Sequence, residues 1–293
     1  MAATQVTEVA PRRRRIPPVV WLIAPSVLFM AALMGWPTIS GLIQAFKTGD
    51  GFGFDNFARM AADPFFWPAV RNTLLLIVIL IPVQFALALG MALLLRAKPK
   101  LSGLYFYIWA IPLAVSDLAA GLVWLSIFTD HGYLNSFLSH LGIDGVNWLS
   151  YDSNTSMFFA VFIAELWRAT SLVLVIVVAG MQGIPKDYDE AAQVFGASYW
   201  QRLRHVTLPL LRPSLQVALI LRTILAFQTF AVAQALTGRD FPVLVGETYN
   251  WYVALRNPSV ASALALVILA ISMITAIVYL RALRDPSDKG GKR

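Results

Sequence analysis

The 293-residue sequence contains no cysteine, few histidines and no phosphate-binding loop. Without cysteine, the chain cannot form disulfides, thiolate metal sites or a cysteine nucleophile. No segment follows the pattern G-x-x-x-x-G-K-[ST], and the Gly-Gly-Lys-Arg at 290–293 lacks its spacing. We therefore expect no ATP hydrolysis by this chain alone. The three histidines have no ligand-like spacing, so neither a metal site nor a catalytic residue is predicted.

Charge is also scarce, because only 13% of the residues are charged whereas 58% are hydrophobic. A soluble domain usually has about twice this charged fraction. Six apolar segments reach the roughly 20 residues that a bilayer crossing needs; they are 19–46, 69–95, 104–128, 157–182, 211–236 and 259–280. The first exceeds the length of a signal-peptide core, so we expect it to be retained. The sequence predicts an all-α, polytopic membrane protein with six transmembrane helices.

The basic residues are distributed unevenly around these six segments. Sixteen of the 23 lie on one side: before the first segment, at 96–100, at 186–212 and after the last segment. Only five lie on the other side, and they are Lys47, Arg59, Arg71, Arg239 and Arg256. The positive-inside rule then places both termini and the loop at 183–210 in the cytoplasm. The net charge of +7 is explained by this topology, so nucleic acid is not expected as a partner.

The chain is predicted to form one domain in the cell (inner) membrane. This six-span domain covers residues 19–283. A basic cytoplasmic tail at 1–18 precedes it, and a short polar cytoplasmic tail at 284–293 follows it.

The 183–210 loop has the local sequence of two short helices joined by a turn. Pro185 and the acidic residues after it suit the first turn of a helix. Gly196 supplies backbone freedom for a turn. A Ser-x-x-Gln capping box beginning at Ser198 opens a second helix, which Pro209 is expected to end. A loop that only connected two spans would not need this organisation, so we predict a docking surface.

Four ionisable residues lie well inside the apolar segments: Asp117, Glu165, Arg168 and Arg222. Unpaired charge at that depth costs about 2.5–3.5 kcal/mol or more, so two acids and two bases are expected to pair. Glu165 and Arg168 are three residues apart and are predicted to form a local structural ion pair. Asp117 and Arg222 have no such local partner. They either line a polar solute pathway or pair with each other.

The 183–210 loop contains a spaced motif whose parts are Glu190-Ala191-Ala192, Gly196 and Leu208-Pro209. This motif resembles the coupling loop of binding-protein-dependent ABC importer permeases, which docks on a separate ATPase subunit. That family often has an aspartate immediately before the glycine, and this chain has Phe195 there.

The resemblance implies a role for each part of the motif. Glu190 would meet a basic group on the ATPase, and Ala191 and Ala192 would keep that surface flat. Gly196 would set the angle between the two short helices. Leu208 and Pro209 would fix the loop onto the next span.

A second set of motifs extends the resemblance over nearly the whole chain; they are Ala24-Pro25-Ser26, Trp36-Pro37, Asp55-Asn56-Phe57, Asp63-Pro64-Phe65-Phe66-Trp67 and Asn72-Thr73. They look like the N-terminal part of maltose- and glycerol-phosphate-type sugar permeases. In that family the fifth span contributes solute contacts before a Leu-Thr-Gly sequence, which implicates Arg222, Gln228 and Thr229. The family's Gly-Gly-Pro turn is replaced here by Arg-Asp-Phe-Pro at 239–242.

The resemblance also implies the assembly in which this chain would work. A homologous second permease, two ATPase subunits and an extracytoplasmic solute-binding protein would be its partners. ATP and Mg²⁺ would bind to the ATPase, and this chain would bind no cofactor. It would move a sugar inward by alternating access. The alternatives are another polar solute, such as a polyamine or glycerol phosphate, or a self-sufficient secondary transporter, for which the sequence shows no inverted repeats.

Overall fold

The computed structural model describes residues 18–49, 51–150 and 152–282. Within them, fourteen α-helices are present: α1 (Pro18–Met30), α2 (Trp36–Phe46), α3 (Asp55–Ala62), α4 (Phe66–Arg96), α5 (Ser102–Ala110), α6 (Asp117–Phe128), α7 (Tyr133–His140), α8 (Asn154–Gln182), α9 (Lys186–Val194), α10 (Tyr199–Arg202), α11 (Leu208–Phe227), α12 (Ala231–Thr237), α13 (Leu244–Val253) and α14 (Pro258–Ala282). A short antiparallel ribbon pairs β1 (Lys47–Thr48) with β2 (Gly51–Phe52). The predicted tails at 1–18 and 284–293 lie outside the described residues, except for Pro18.

The predicted all-α membrane architecture is confirmed. Among the described residues, five helical stretches are long and apolar enough to cross a membrane: Trp21–Phe46, Phe66–Arg96, Asn154–Gln182, Tyr199–Phe227 and Pro258–Arg281. The third predicted span differs, because Ser102–Ala114 and Asp117–His140 meet at an angle of 104°. Counted together, this bent pair makes a sixth span.

The bend in the third span has a local cause. Pro112 cannot donate a backbone hydrogen bond, and its ring disfavours the preceding helical turn. Residues 111–114 form a 3₁₀ turn there, and Val115 is extended. The hydroxyl of Ser116 then caps the next helix by accepting from the Ala119 N–H at 3.2 Å. Asp117 is therefore the first residue of α6 rather than a residue within a continuous helix.

The fifth span also differs from its predicted limits. Pro209 was expected to end the second helix of the 183–210 loop, and this prediction is wrong. A π-helical segment at 203–207 joins α10 to α11, so one helix runs from the loop into the membrane. In that segment the N–H of Leu208 bonds to the carbonyl of Leu203, and the wider turn accommodates the proline. The first span has the same device, with a π-helical segment at 31–35 ahead of Pro37.

The predicted fifth span is interrupted at 228–230, where α11 ends and α12 begins. Neither proline nor glycine occurs between Pro213 and Gly238, so no local signal marks this break. Packing accounts for it instead, because the break lays α12 against α6. A methyl group added at Gly121 of α6 would lie only 2.6 Å from the Cβ of Ala235. The two half-helices that follow the two breaks are thus in close contact.

Helix α8 lies at the centre of the bundle and packs against α4, α6, α11 and α12. Residues such as Val161, Ala164 and Val173 on α8 are completely buried. Val161 and Ala164 belong to an apolar cluster with residues of α6 and α12, and Val173 belongs to a second cluster with residues of α4 and α11. This position gives α8 contact with both broken spans at mid-depth.

Candidate functional site

The 183–210 loop contains two helices joined by a tight turn, as predicted, but the second helix continues into α11 instead of ending within the loop. Helix α9 ends in a Schellman arrangement, in which the Gly196 N–H bonds to the Gln193 carbonyl at 2.9 Å and the Ala197 N–H to the Ala192 carbonyl at 3.0 Å. Gly196 has a φ of +76°, a conformation that side chains with a Cβ disfavour. The chain therefore changes direction at a backbone conformation that only glycine adopts without strain.

The predicted capping box is present at the start of α10. The Ser198 N–H donates to Oε1 of Gln201 at 2.7 Å, and the Gln201 N–H donates to the Ser198 hydroxyl at 3.4 Å. The backbone N–H groups at both ends of the turn are thus hydrogen-bonded within the loop, which gives the loop a defined shape.

One face of the loop is both apolar and exposed. Glu190 and Ala191 are exposed, and Ala192 is half-buried. Beside them lie five large apolar side chains that are more than half exposed: Tyr188, Val194, Phe195, Tyr199 and Trp200. This aromatic face was not predicted from the sequence, although four of its five members are visible as aromatics within a polar segment. An exposed apolar patch with a charged residue at its edge is typical of a protein-binding surface.

The loop is tied to the membrane helices by ion pairs and a hydrogen bond. Oδ2 of Asp189 lies 3.0 Å from Nη1 of Arg202 and 3.9 Å from Nη2 of Arg96, the last residue of α4. Arg96 also donates to the Thr207 hydroxyl at 3.0 Å. A cavity of about 500 Å³ between α9 and the ends of α4 and α8 is bordered by both Asp189 and Glu190. No local spacing in the sequence indicated these contacts.

The four intramembrane charges form one chain of ion pairs. Glu165 bonds to Arg168 at 3.2 Å and to Arg222 at 3.3 Å, in both cases through Oε2. Nη1 of Arg168 lies 2.7 Å from Oδ1 of Asp117. Gln84 completes the buried end by accepting from Nε of Arg222 at 2.8 Å. The two acids and two bases offset each other, so this network of four ion-paired side chains carries no net charge.

This network lies near the middle of the membrane-spanning bundle. Arg168 is 14 residues from either end of α8, which is about 21 Å along the axis at 1.5 Å per residue. The network is buried at one end, where the side chains of Glu165 and Arg222 are each 1% exposed. It is open at the other end, where the Asp117 carboxylate is 51% exposed.

The predicted Glu165–Arg168 pair is therefore present, whereas a pair between Asp117 and Arg222 is not. Each of those two residues contacts α8 instead, Asp117 through Arg168 and Arg222 through Glu165. The helix break at Pro112 explains the difference, because it turns the start of α6 towards Arg168. Burial also separates Arg222 from Asp117 and Gln228, since a side chain that is 1% exposed offers no surface to a solute in this conformation.

Gln228 and Thr229 lie in the break of the fifth span. Gln228 ends α11 and is exposed, whereas Thr229 is buried. Of the predicted pathway residues, Asp117 and Gln228 are therefore the two that present polar atoms to the surface at a helix break.

The loop at 239–242 is anchored on the side where the extracytoplasmic face is predicted. Arg239 donates to both carboxylate oxygens of Glu247, at 3.1 and 2.8 Å, and lies 3.7 Å from the centre of the Phe65 ring. The hydrogen bond to Glu247 is the main reason that the pKa of Arg239 is raised above its ordinary value. Asn72 donates to the carbonyl of Pro242 at 3.0 Å. The Arg-Asp-Phe-Pro sequence thus forms a fixed turn.

Comparison with known proteins identifies the family. The model of the "binding-protein-dependent transport system inner membrane component" family matches residues 84–286, a range that includes the network and the 183–210 loop. The chain belongs to this family. The resemblance found in the sequence is thereby confirmed, and the permease is a multi-pass membrane protein.

Two curated relatives match most of the permease. It is 34% identical over 285 residues, 90% of each chain, to the sulfoquinovosyl glycerol transport system permease protein SmoG of Agrobacterium fabrum. It is 34% identical over 244 residues to the trehalose/maltose transport system permease protein MalF of Thermococcus litoralis, covering 80% of this chain and 81% of the relative.

The fold of the permease is similar to a chain in the crystal structure of a bacterial ABC transporter involved in the import of the acidic polysaccharide alginate. The TM-score is 0.77 with 21% identity, covering 91% of this chain and 96% of the other. At this identity the similarity establishes the fold, while family membership follows from the family model and the two relatives.

Proposed function

We propose that the permease is the membrane subunit of an ABC importer that moves a sugar or sugar-like solute into the cell by alternating access. The observation that carries this proposal is the 183–210 loop, whose exposed aromatic face and Glu190 form a defined surface outside the apolar spans. A separate ATPase, which binds ATP and Mg²⁺, docks on that surface. Closure of an ATPase dimer then moves the loop and the spans attached to it.

Topology supports this docking. Sixteen of the 23 basic residues lie on the same side of the spans as the loop, which favours a cytoplasmic location for both termini and the loop. A binding protein then delivers the solute to the opposite face, where the turn at 239–242 lies. A homologous second permease completes the pathway.

Carbohydrate is the solute class that the relatives favour. The names of the two relatives specify sulfoquinovosyl glycerol and trehalose or maltose, which are all glycosides. The Gln228 amide can both donate to and accept from sugar hydroxyls, whereas Asp117 accepts. Exposed polar atoms at mid-depth are costly against lipid, so we assign Asp117 and Gln228 to the solute pathway and place Glu165, Arg168 and Arg222 behind them.

The proposal predicts uptake of a neutral sugar by the reconstituted complex of permease, second permease, ATPase and binding protein. Replacing Gln228 with alanine should lower uptake about tenfold, because a multi-point polar site loses one hydrogen bond of about 1–1.5 kcal/mol. Complex assembly and basal ATP hydrolysis should not change. Radiolabelled sugar uptake into proteoliposomes measures the first effect, and size-exclusion chromatography measures assembly.

The matched control is Gln182→Ala, since Gln182 is an exposed glutamine at the end of α8, away from the break. Equal uptake by the two variants would remove Gln228 from the pathway. If a polyamine or glycerol phosphate stimulated the complex while neutral sugars did not, the sugar assignment would be wrong and the ABC importer function would stand.

A further inference from the structure

Asp189 and Glu190 are consecutive residues of α9 that both border the cavity of about 500 Å³ but differ in exposure and in partners. Glu190 is exposed, whereas the side chain of Asp189 is 26% exposed and faces two arginines. Successive residues on a helix differ in direction by about 100°, so Asp189 reaches Arg96 and Arg202 while the exposed Glu190 side chain is left available to a partner. In the proposed function Glu190 faces the ATPase, and the contacts of Asp189 are within the permease itself.

The Asp189 carboxylate joins three separate parts of the chain. Its Oδ2 atom accepts from Arg202 of α10 at 3.0 Å and from Gln193 of α9 at 3.3 Å. The same atom lies 3.9 Å from Arg96 at the end of α4. The two short helices of the loop are thus held both to each other and to a transmembrane helix.

Arg96 extends this connection into the fifth span. Its Nη1 donates to the Thr207 hydroxyl at 3.0 Å, and Thr207 is buried as the last residue before α11. The contacts therefore close a ring through α9, α10, the end of α4 and the start of α11. Helix α11 then leads to Arg222 and to the break that contains Gln228.

The charges of this ring depend on Asp189. Two arginines face one carboxylate, and Nε of Arg202 is buried without a hydrogen-bond partner among the described residues. Without Asp189, Arg96 and Arg202 would lose the carboxylate that they share, and their two positive charges would repel each other. An isolated exposed ion pair contributes little to stability, but a partly buried network of three charges fixes relative position more strongly.

We infer that Asp189 is a positioning residue that transmits movement of the 183–210 loop to α4 and α11. This inference rests on the proposed function, because it requires that an ATPase moves the loop. Docking and transmission are then separate tasks of neighbouring residues. Glu190 and the aromatic face hold the ATPase, and Asp189 holds the loop to the spans.

The test uses Asp189→Asn in the reconstituted complex, since asparagine keeps the shape and removes the charge. We expect the ATPase to co-purify in normal amount while solute uptake per ATP hydrolysed falls about tenfold. Asp187→Asn is the matched control, because Asp187 is an exposed acid in the same first helical turn and its change should leave the ratio unaltered. Asp189→Glu should restore most of the coupling.

Thr207→Val provides a second variant that removes only the hydroxyl acceptor of Arg96. Uptake per ATP should fall about threefold, with normal ATPase co-purification. An unchanged ratio in both Asp189→Asn and Thr207→Val would overturn the inference. So would loss of the ATPase from the Asp189→Asn complex, which would make Asp189 a docking residue, or failure of Asp189→Glu to restore coupling.

Glu190→Lys in the same assay separates this inference from the proposed function. Loss of the ATPase from that variant is the result the proposed function requires. If Glu190→Lys retained both the ATPase and normal uptake, Glu190 would have no docking role. The solute uptake per ATP hydrolysed by Asp189→Asn would still test whether Asp189 transmits movement of the loop to the spans.

Discussion

Replacing Arg222 with methionine should destabilise the permease by about 3–5 kcal/mol, because removal of one partner leaves a buried ion uncompensated. Arg222 and Glu165 are each 1% exposed and 3.3 Å apart, and the network would retain a net negative charge at mid-depth. Thermal unfolding of the detergent-solubilised permease, followed by fluorescence-detected size exclusion, measures the loss. Arg222→Lys should recover only part of it, since lysine cannot both pair with Glu165 and donate to Gln84 through a fixed fork.

Arg212→Met is the matched control, because Arg212 is an exposed arginine on the same helix. The double variant Arg222→Met with Glu165→Gln should be more stable than Arg222→Met, since it restores neutrality. If Arg222→Met were as stable as Arg212→Met and lost only solute uptake, Arg222 would be a solute contact. The solute role that the sequence suggested for it would then be correct.

Replacing Gly196 with valine should abolish most coupled transport while leaving the permease in the membrane. At a φ of +76° a β-branched residue adds about 1–2 kcal/mol of strain, which the loop relieves by changing the angle between α9 and α10. No atom lies within 4 Å of a Cβ added there, so the effect comes from backbone conformation rather than from a clash. Solute uptake and ATP hydrolysis stimulated by binding protein should both fall about tenfold or more.

Gly196→Asn distinguishes conformation from side-chain bulk, because asparagine adopts the left-handed region more readily than other residues. We expect this variant to retain most of the wild-type uptake. Equal activity in the asparagine and valine variants would show that the turn geometry of Gly196 does not matter for coupling.

The turn of the 183–210 loop could be predicted because its structure depends on residues that are close together in the sequence. The capping box at Ser198 and the positive φ of Gly196 each depend on residues within one or two turns. The same holds for the Glu165–Arg168 pair, whose members are three residues apart on one helix. Periodicity and composition were sufficient for the number and approximate position of the spans.

Long-range contacts were not predictable from one sequence. The break at 228–230 has no proline or glycine, and it is explained by the packing of α12 on α6. Proline alone also misled the prediction: Pro112 breaks its span, whereas Pro209 is accommodated within a helix by a π-helical turn. The pairing of Asp117 with Arg168 depends on the break at Pro112, so it could not be deduced from spacing.

Site-directed thiol labelling can establish whether the 183–210 loop is a cytoplasmic docking surface for an ATPase. Phe195 is 89% exposed, and the chain contains no native cysteine, so Phe195→Cys gives a single reporter at the centre of the surface. We expect an impermeant thiol reagent to label this cysteine in inside-out vesicles stripped of the ATPase. Rebinding the ATPase should protect it, and His140→Cys should label only in right-side-out vesicles. Labelling of Phe195→Cys from outside, or ATPase rebinding without protection, would show that the loop is not a cytoplasmic docking surface.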